Sequence, residues 1–155
     1  MRFAAVVRIA TGLLFLAEGY SKIAGEFVKG GFRKQAALMA HEAFPFWRRF
    51  LETAVIPHAS AVAWAFASAE LVVGIALVLG LLTRAACAVG IALMLSILLA
   101  SANAGSGARW ADWITAGLTP KFALLLFVLL LAVNAGTTWG LDARLWRKGS
   151  FRPAR

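Results

Sequence analysis

Residues 59–82 carry a single charged side chain, Glu70, in an otherwise apolar run. A helix crosses the hydrocarbon core of a bilayer with about 20 mostly apolar residues. Inside lipid every backbone polar group must be satisfied within its own segment, so a run of this kind folds as a helix. Three more stretches read the same way. Residues 3–24 hold Arg8, Glu18 and Lys22, residues 85–104 hold no charge, and residues 120–139 are uncharged beyond Lys121. The intervals are short except 25–58. The expected fold is therefore all-α: an integral membrane antiparallel four-helix bundle, one domain over 1–155, with a basic tail at 143–155.

Composition agrees. Of 155 residues, 61% are hydrophobic and 15% charged, against about half and about a quarter in soluble domains. The net charge is +9, but the basic residues lie between and after the apolar runs. They do not form the single basic face of a nucleic-acid binder. Anionic lipid headgroups account for the charge, so the bilayer is an expected partner and nucleic acid is not. The lone Cys87 excludes an internal disulfide and a CxxC redox pair. The first apolar run could open a secretory signal, since Arg2 precedes it. However, Glu18 and Lys22 stand where a small-residue cleavage site belongs, so the run reads as a retained span.

Local signals mark the ends. Thr119 and Pro120 suit an N-cap and first helical position. Gly80 with Thr83 and Arg84 closes the second span. Trp110, Trp113 and Trp139 suit an aromatic belt at the headgroup level. In the long first loop Phe46, Trp47, Phe50, Leu51 and Val55 recur at helical spacing between Pro45 and Pro57, with Arg48, Arg49 and Glu52 opposite. That pattern predicts a short interfacial helix. The basic residues divide evenly between the two sides. The compact basic tail then favours both termini in the cytoplasm, as for a multi-pass protein of a bacterial or archaeal inner membrane.

Ionisable residues within the spans are the sharpest functional signal. At 100° per residue Arg8, Thr11, Glu18 and Lys22 fall within an arc of about 80°, bordered by Gly12 and Gly19. Small residues permit close helix approach, so this face of the first helix is expected to turn inward. Glu18 and Lys22 stand in the favourable order for an i,i+4 ion pair. Glu70 shares a face with Ala63, Ala67 and Gly74, and its expected partner is Arg8 or Lys22. Candidate catalytic groups are thus Glu70, Arg8 and Lys22. Candidate ligand contacts are Glu18, Asn103 and Asn134, where each asparagine could instead bond across helices or cap its own helix. Two readings stay open: a polar pocket for a quinone ring, an oxyanion or protons, and a buried ion network that fixes helix pairing. His41 and His58 have no ligand partners at metal spacing, so no metal is expected. Gly105 and Gly107 lack the rest of a dinucleotide fingerprint. A flavin or nicotinamide would sit on another protein.

The first helix reads Arg8-Ile9, Gly12-Leu13, Phe15, Gly19-Tyr20 and Lys22. The second reads Glu70-Leu71-Val72-Val73-Gly74 and onward to Leu82-Thr83-Arg84. The end reads Asn134-Ala135-Gly136 and Trp139-Gly140-Leu141-Asp142. Over nearly the whole chain this resembles the DoxX/DoxD family of small four-helix membrane proteins, whose DoxD branch is a subunit of a thiosulfate:quinone oxidoreductase. The resemblance implies a component of a quinone-linked membrane oxidoreductase acting on thiosulfate or another small sulfur or redox substrate. It implies no covalent cofactor, a quinone, and a partner subunit or homo-oligomer. Arg8, Lys22, Glu70 and Arg84 are the matching polar positions, the cations to attract an anionic substrate and Glu70 to exchange protons. The rival readings are a non-catalytic subunit that anchors a larger complex and a small transporter acting as an oligomer.

Overall fold

The computed structural model describes residues 2–101 and 118–132. Every regular element there is helical: α1 (Arg2–Ala24), α2 (Phe32–Glu42), α3 (Pro45–Phe50), α4 (Ala59–Leu79), α5 (Thr83–Ser101) and α6 (Leu118–Ala132). Single π-helical turns, Phe27–Gly31 and Leu51–Val55, lead from α1 into α2 and from α3 towards α4. Among the described residues three helices are long and apolar enough to cross a membrane, over Phe3–Ala24, Ala59–Leu79 and Thr83–Ala100. In α6 the apolar run is Phe122–Leu131. It opens at Leu118, which places Thr119 and Pro120 inside its first turn and not at its cap. Residues 133–139 of the expected fourth span, the tryptophans 110, 113 and 139, and the basic tail lie outside the described residues.

The long helices pack as the small residues dictate. α1 lies along α4, α5 contacts α4 and α6, and α6 returns to α1. A Cβ on Gly12 would stand 2.9 Å from the Gly74 carbonyl oxygen, and one on Gly74 would stand 2.8 Å from the Leu16 backbone. The two backbones therefore touch here, and only glycine at both positions permits it. Further along, Gly19 meets Ala67 and Leu71, so contacts fall along α4 as they rise along α1. Phe15, Val73, Leu77, Cys87, Met94 and Phe127 fill the core beyond this seam. Phe15 meets Phe127 edge to face at 4.8 Å, the arrangement that aromatic quadrupoles favour. Leu13, Leu14, Val72, Ile75 and Leu129 point outward, as a chain solvated by lipid requires.

The turn between α4 and α5 is short because Gly80 adopts φ 64°. Its N–H bonds to the Leu77 carbonyl at 3.2 Å, and the Leu81 N–H bonds to that of Ala76 at 2.9 Å. These bonds satisfy carbonyls at the end of α4 that would otherwise be orphaned.

The first loop holds more structure than its sequence pattern predicts. The expected helix after Pro45 is present as α3 and the following π turn, with Leu51 and Val55 buried. α2 is an addition: Ala36 and Ala40 are buried along one face, and Ala43, just after its end, is buried too. Arg48, expected among the outward charges, instead turns back. Its Nε donates to the Ala40 carbonyl at 2.7 Å and its Nη2 to that of His41 at 2.8 Å. The last carbonyls of a helix need such donors, and a guanidinium supplies several at fixed angles. This clasp folds α2 and α3 into one unit, which lies against α4 and α5.

Candidate functional site

Lys22 lies in the last turn of α1, and Glu70 lies in the middle of α4. Because the contacts of the two helices run in opposite senses, these positions come level. The Lys22 Nζ donates to Glu70 Oε1 at 2.8 Å and to Oε2 at 2.6 Å. The Glu70 side chain is 3% exposed and that of Lys22 21%. Ala63 and Ala67, on the same face of α4, are buried beneath the pair. A carboxylate in mid-span is costly, and the bidentate contact with an ammonium offsets that cost.

Lys22 is also held from other sides. Glu18 Oε2 lies 3.6 Å from its Nζ. The Phe27 and Phe66 rings stand 5.8 and 5.9 Å from the same nitrogen, within the range of cation–π attraction. Beyond the ammonium opens a cavity of about 490 Å³ between the first-loop helices and the spans α4 and α5. Phe27, Phe32, Trp47, Phe50 and Phe66 form much of its wall. Its polar lining comes from Lys22, Gln35 and Ser96. The Ser96 hydroxyl donates to the Leu93 carbonyl at 2.7 Å, within its own helix. The Trp47 Nε1 is buried away from the cavity and has no hydrogen-bond acceptor among the described residues.

The other sequence candidates divide. Glu18 joins the group but at its edge: its side chain is 64% exposed. It sits at the rim of the α1 arc, whereas Arg8, Phe15 and Gly19 occupy the buried centre. The expectation that the whole arc turns inward is corrected at this one residue. Arg8 is fully buried but stands apart from the pair. Fourteen positions separate it from Lys22 on one continuous helix, about 21 Å at about 1.5 Å per residue. Of its two expected partners, Glu70 takes Lys22. Thr11 is buried too, and its hydroxyl donates to the Val7 carbonyl at 2.8 Å. Arg84 is exposed at the start of α5, beyond the opposite end of α4. Asn103 and Asn134 lie outside the described residues. Among the described residues no group of His, Cys, Asp or Glu side chains could hold a metal.

The cavity wall was not read from the sequence. Its signal was present: Phe32, Ala36, Met39 and Ala43 repeat at helical spacing, with Arg33 and Lys34 on the other side. That pattern predicts an amphipathic helix directly after α1.

The whole is a multi-pass membrane protein with a buried ion pair at the wall of an aromatic cavity. No curated protein and no solved structure matches the chain. A family model described as DoxX matches residues 3–103, from α1 through the cavity-lining part of α5, and the chain belongs to the DoxX family.

Proposed function

We propose that the chain is a component of a quinone-linked membrane oxidoreductase, with the quinone ring taken up in the cavity beside Lys22. The observation that carries this reading is the composition of that cavity. Planar aromatic walls surround the donors of Lys22 and Gln35, and no carboxylate lines it directly. Such a lining suits a flat, apolar ring that carries only acceptor oxygens. A volume of about 490 Å³ lies within the usual range for small-ligand sites.

A bound quinone supplies two-electron, two-proton acceptor chemistry. The residues bind and orient it. An ammonium has three N–H donors, and Glu70 takes two of those on Lys22. The third is available to a ring oxygen. Glu70 fixes the Lys22 Nζ at the wall and can hold a proton at its own Oε atoms. Phe27 and Phe66 exclude water from the ammonium. The reductant, thiosulfate or another small sulfur or redox compound, is handled with a partner subunit or a second copy. In this reading α6 continues to residue 139 as a fourth span, completing an antiparallel bundle in the inner membrane with both termini cytoplasmic.

A second reading rests on the same contact. Both Glu70 oxygens are engaged by one ammonium, as in a pair that only sets the register of α1 on α4. Organic extraction of the protein purified in mild detergent, with mass spectrometry of the extract, separates the two. Gln35→Ala removes a donor from the cavity wall, and Glu70→Gln keeps the shape and removes the charge. Quinone enriched over bulk lipid in the wild type and depleted in both variants is expected. Quinone no richer than in bulk lipid, with Glu70→Gln merely less stable, would leave the register role alone.

A further inference from the structure

A second cavity, of about 350 Å³, lies on the other side of Phe27 and Phe32, which line both. Its walls are the π turn after α1 and the start of α4. One span ends there and the next begins, so the cavity lies at the headgroup level of the bilayer. Lys29, Arg33 and Ser60 supply its polar lining, and Val28, Ile56, Pro57 and Ala63 much of its apolar lining. Neither cation is paired with a carboxylate among the described residues, where the recorded ion pairs both belong to Lys22. Glu26, the nearest carboxylate in sequence, is exposed and does not line the cavity.

Two like charges facing one space repel each other unless an anion lies between them. The apolar portion of the wall suits carbon attached to that anion, and basic pockets between spans are known to take anionic headgroups. We propose that this cavity binds the phosphodiester of an anionic membrane lipid. Lys29 and Arg33 contact the phosphate, the Ser60 hydroxyl donates to it, and the glycerol and upper acyl methylenes lie against Val28, Ile56 and Pro57. The site is independent of any quinone in the first cavity, although a lipid seated here would steady the Phe27 and Phe32 walls.

The test titrates the full-length protein, in detergent, with phosphatidylglycerol or phosphatidylcholine and counts bound lipids by native mass spectrometry. Each basic residue near the surface contributes about fivefold in binding, so the tightest site, with two, should favour phosphatidylglycerol by about twenty-five-fold. The double variant Lys29→Gln/Arg33→Gln should abolish that preference. Lys34→Gln removes a neighbouring exposed charge that does not line the cavity and should leave the preference intact. All three side chains are exposed, so the variants should fold, and helical circular dichroism checks that they do. Equal affinity for the two lipids, or an equal loss in Lys34→Gln, would overturn the proposal. A competition arm separates the two sources of phosphate. Retention of the lipid in millimolar inorganic phosphate is expected, and its displacement would assign the site to a free anion instead.

Discussion

At the crossing of Gly12 and Gly74 the two helices touch backbone to backbone, with no room for a methyl group. Farther along the same seam, Lys22, held by Glu70, faces a cavity large enough for a ring. Both ends of the seam bury polar side chains of α1: Arg8 and Thr11 near the first, Lys22 at the second. The sequence makes them look alike, as one polar arc bordered by glycines. The structure separates them by what lies opposite. Near Arg8 the neighbour is packed helix, and beside Lys22 it is the folded first loop. An intramembrane charge therefore becomes a candidate site when a second element holds space open beside it.

The largest effect should come from closing the contrast at the tight end. Gly74→Leu forces side-chain atoms into the α1 backbone, and thermal unfolding in detergent should show a loss of about 3 kcal/mol or more. Unchanged stability would mean that the helices are not in contact there. Next is Lys22→Ala, which leaves a buried carboxylate without its counterion. Breaking a buried pair costs about 3–5 kcal/mol, and the exposed fifth of Lys22 places the expected loss near the lower end. The double variant Lys22→Ala/Glu70→Ala should recover part of that loss, a coupling that a mutant cycle reads directly.

At the open end the effects should fall on the ligand more than on the fold. Gln35→Ala should weaken quinone retention about fivefold, the worth of one hydrogen bond of about 1 kcal/mol, with the melting temperature nearly unchanged. If stability falls instead and retention holds, Gln35 is a packing residue only. The smallest effect belongs to Glu18→Gln. Its contact with Lys22 is long, at 3.6 Å, and its side chain is 64% exposed, so the pair should contribute about 0–1 kcal/mol. A loss comparable to that of Lys22→Ala would show that Glu18 is a full member of the buried pair.

How much of this could be read from the chain follows from what each feature depends on. The three long spans are properties of single segments, and hydropathy gives them directly. The Lys22–Glu70 pair depended on two helices meeting in opposite senses, and the short connection through Gly80 says nothing about α1. It was legible only as one of two options, because Arg8 offered the same charge on the same face. The cavity was not legible. It depends on Arg48 reaching back to the carbonyls of Ala40 and His41, a contact made by a position that looks like an ordinary outward charge. Glu18 was misplaced because an arc of residues gives direction but not depth, and the buried strip is centred nearer Gly19.

Photolabelling with an azido-quinone in native membranes, followed by peptide mapping, tests the central claim most directly. The account predicts label on the cavity wall, at Phe32, Trp47, Phe66 or Ala100, competed away by excess unlabelled quinone. Label spread over outward positions such as Leu13, Val72 and Leu129, and insensitive to competitor, would show quinone acting only as part of the surrounding lipid. That result would contradict the cavity as its binding site.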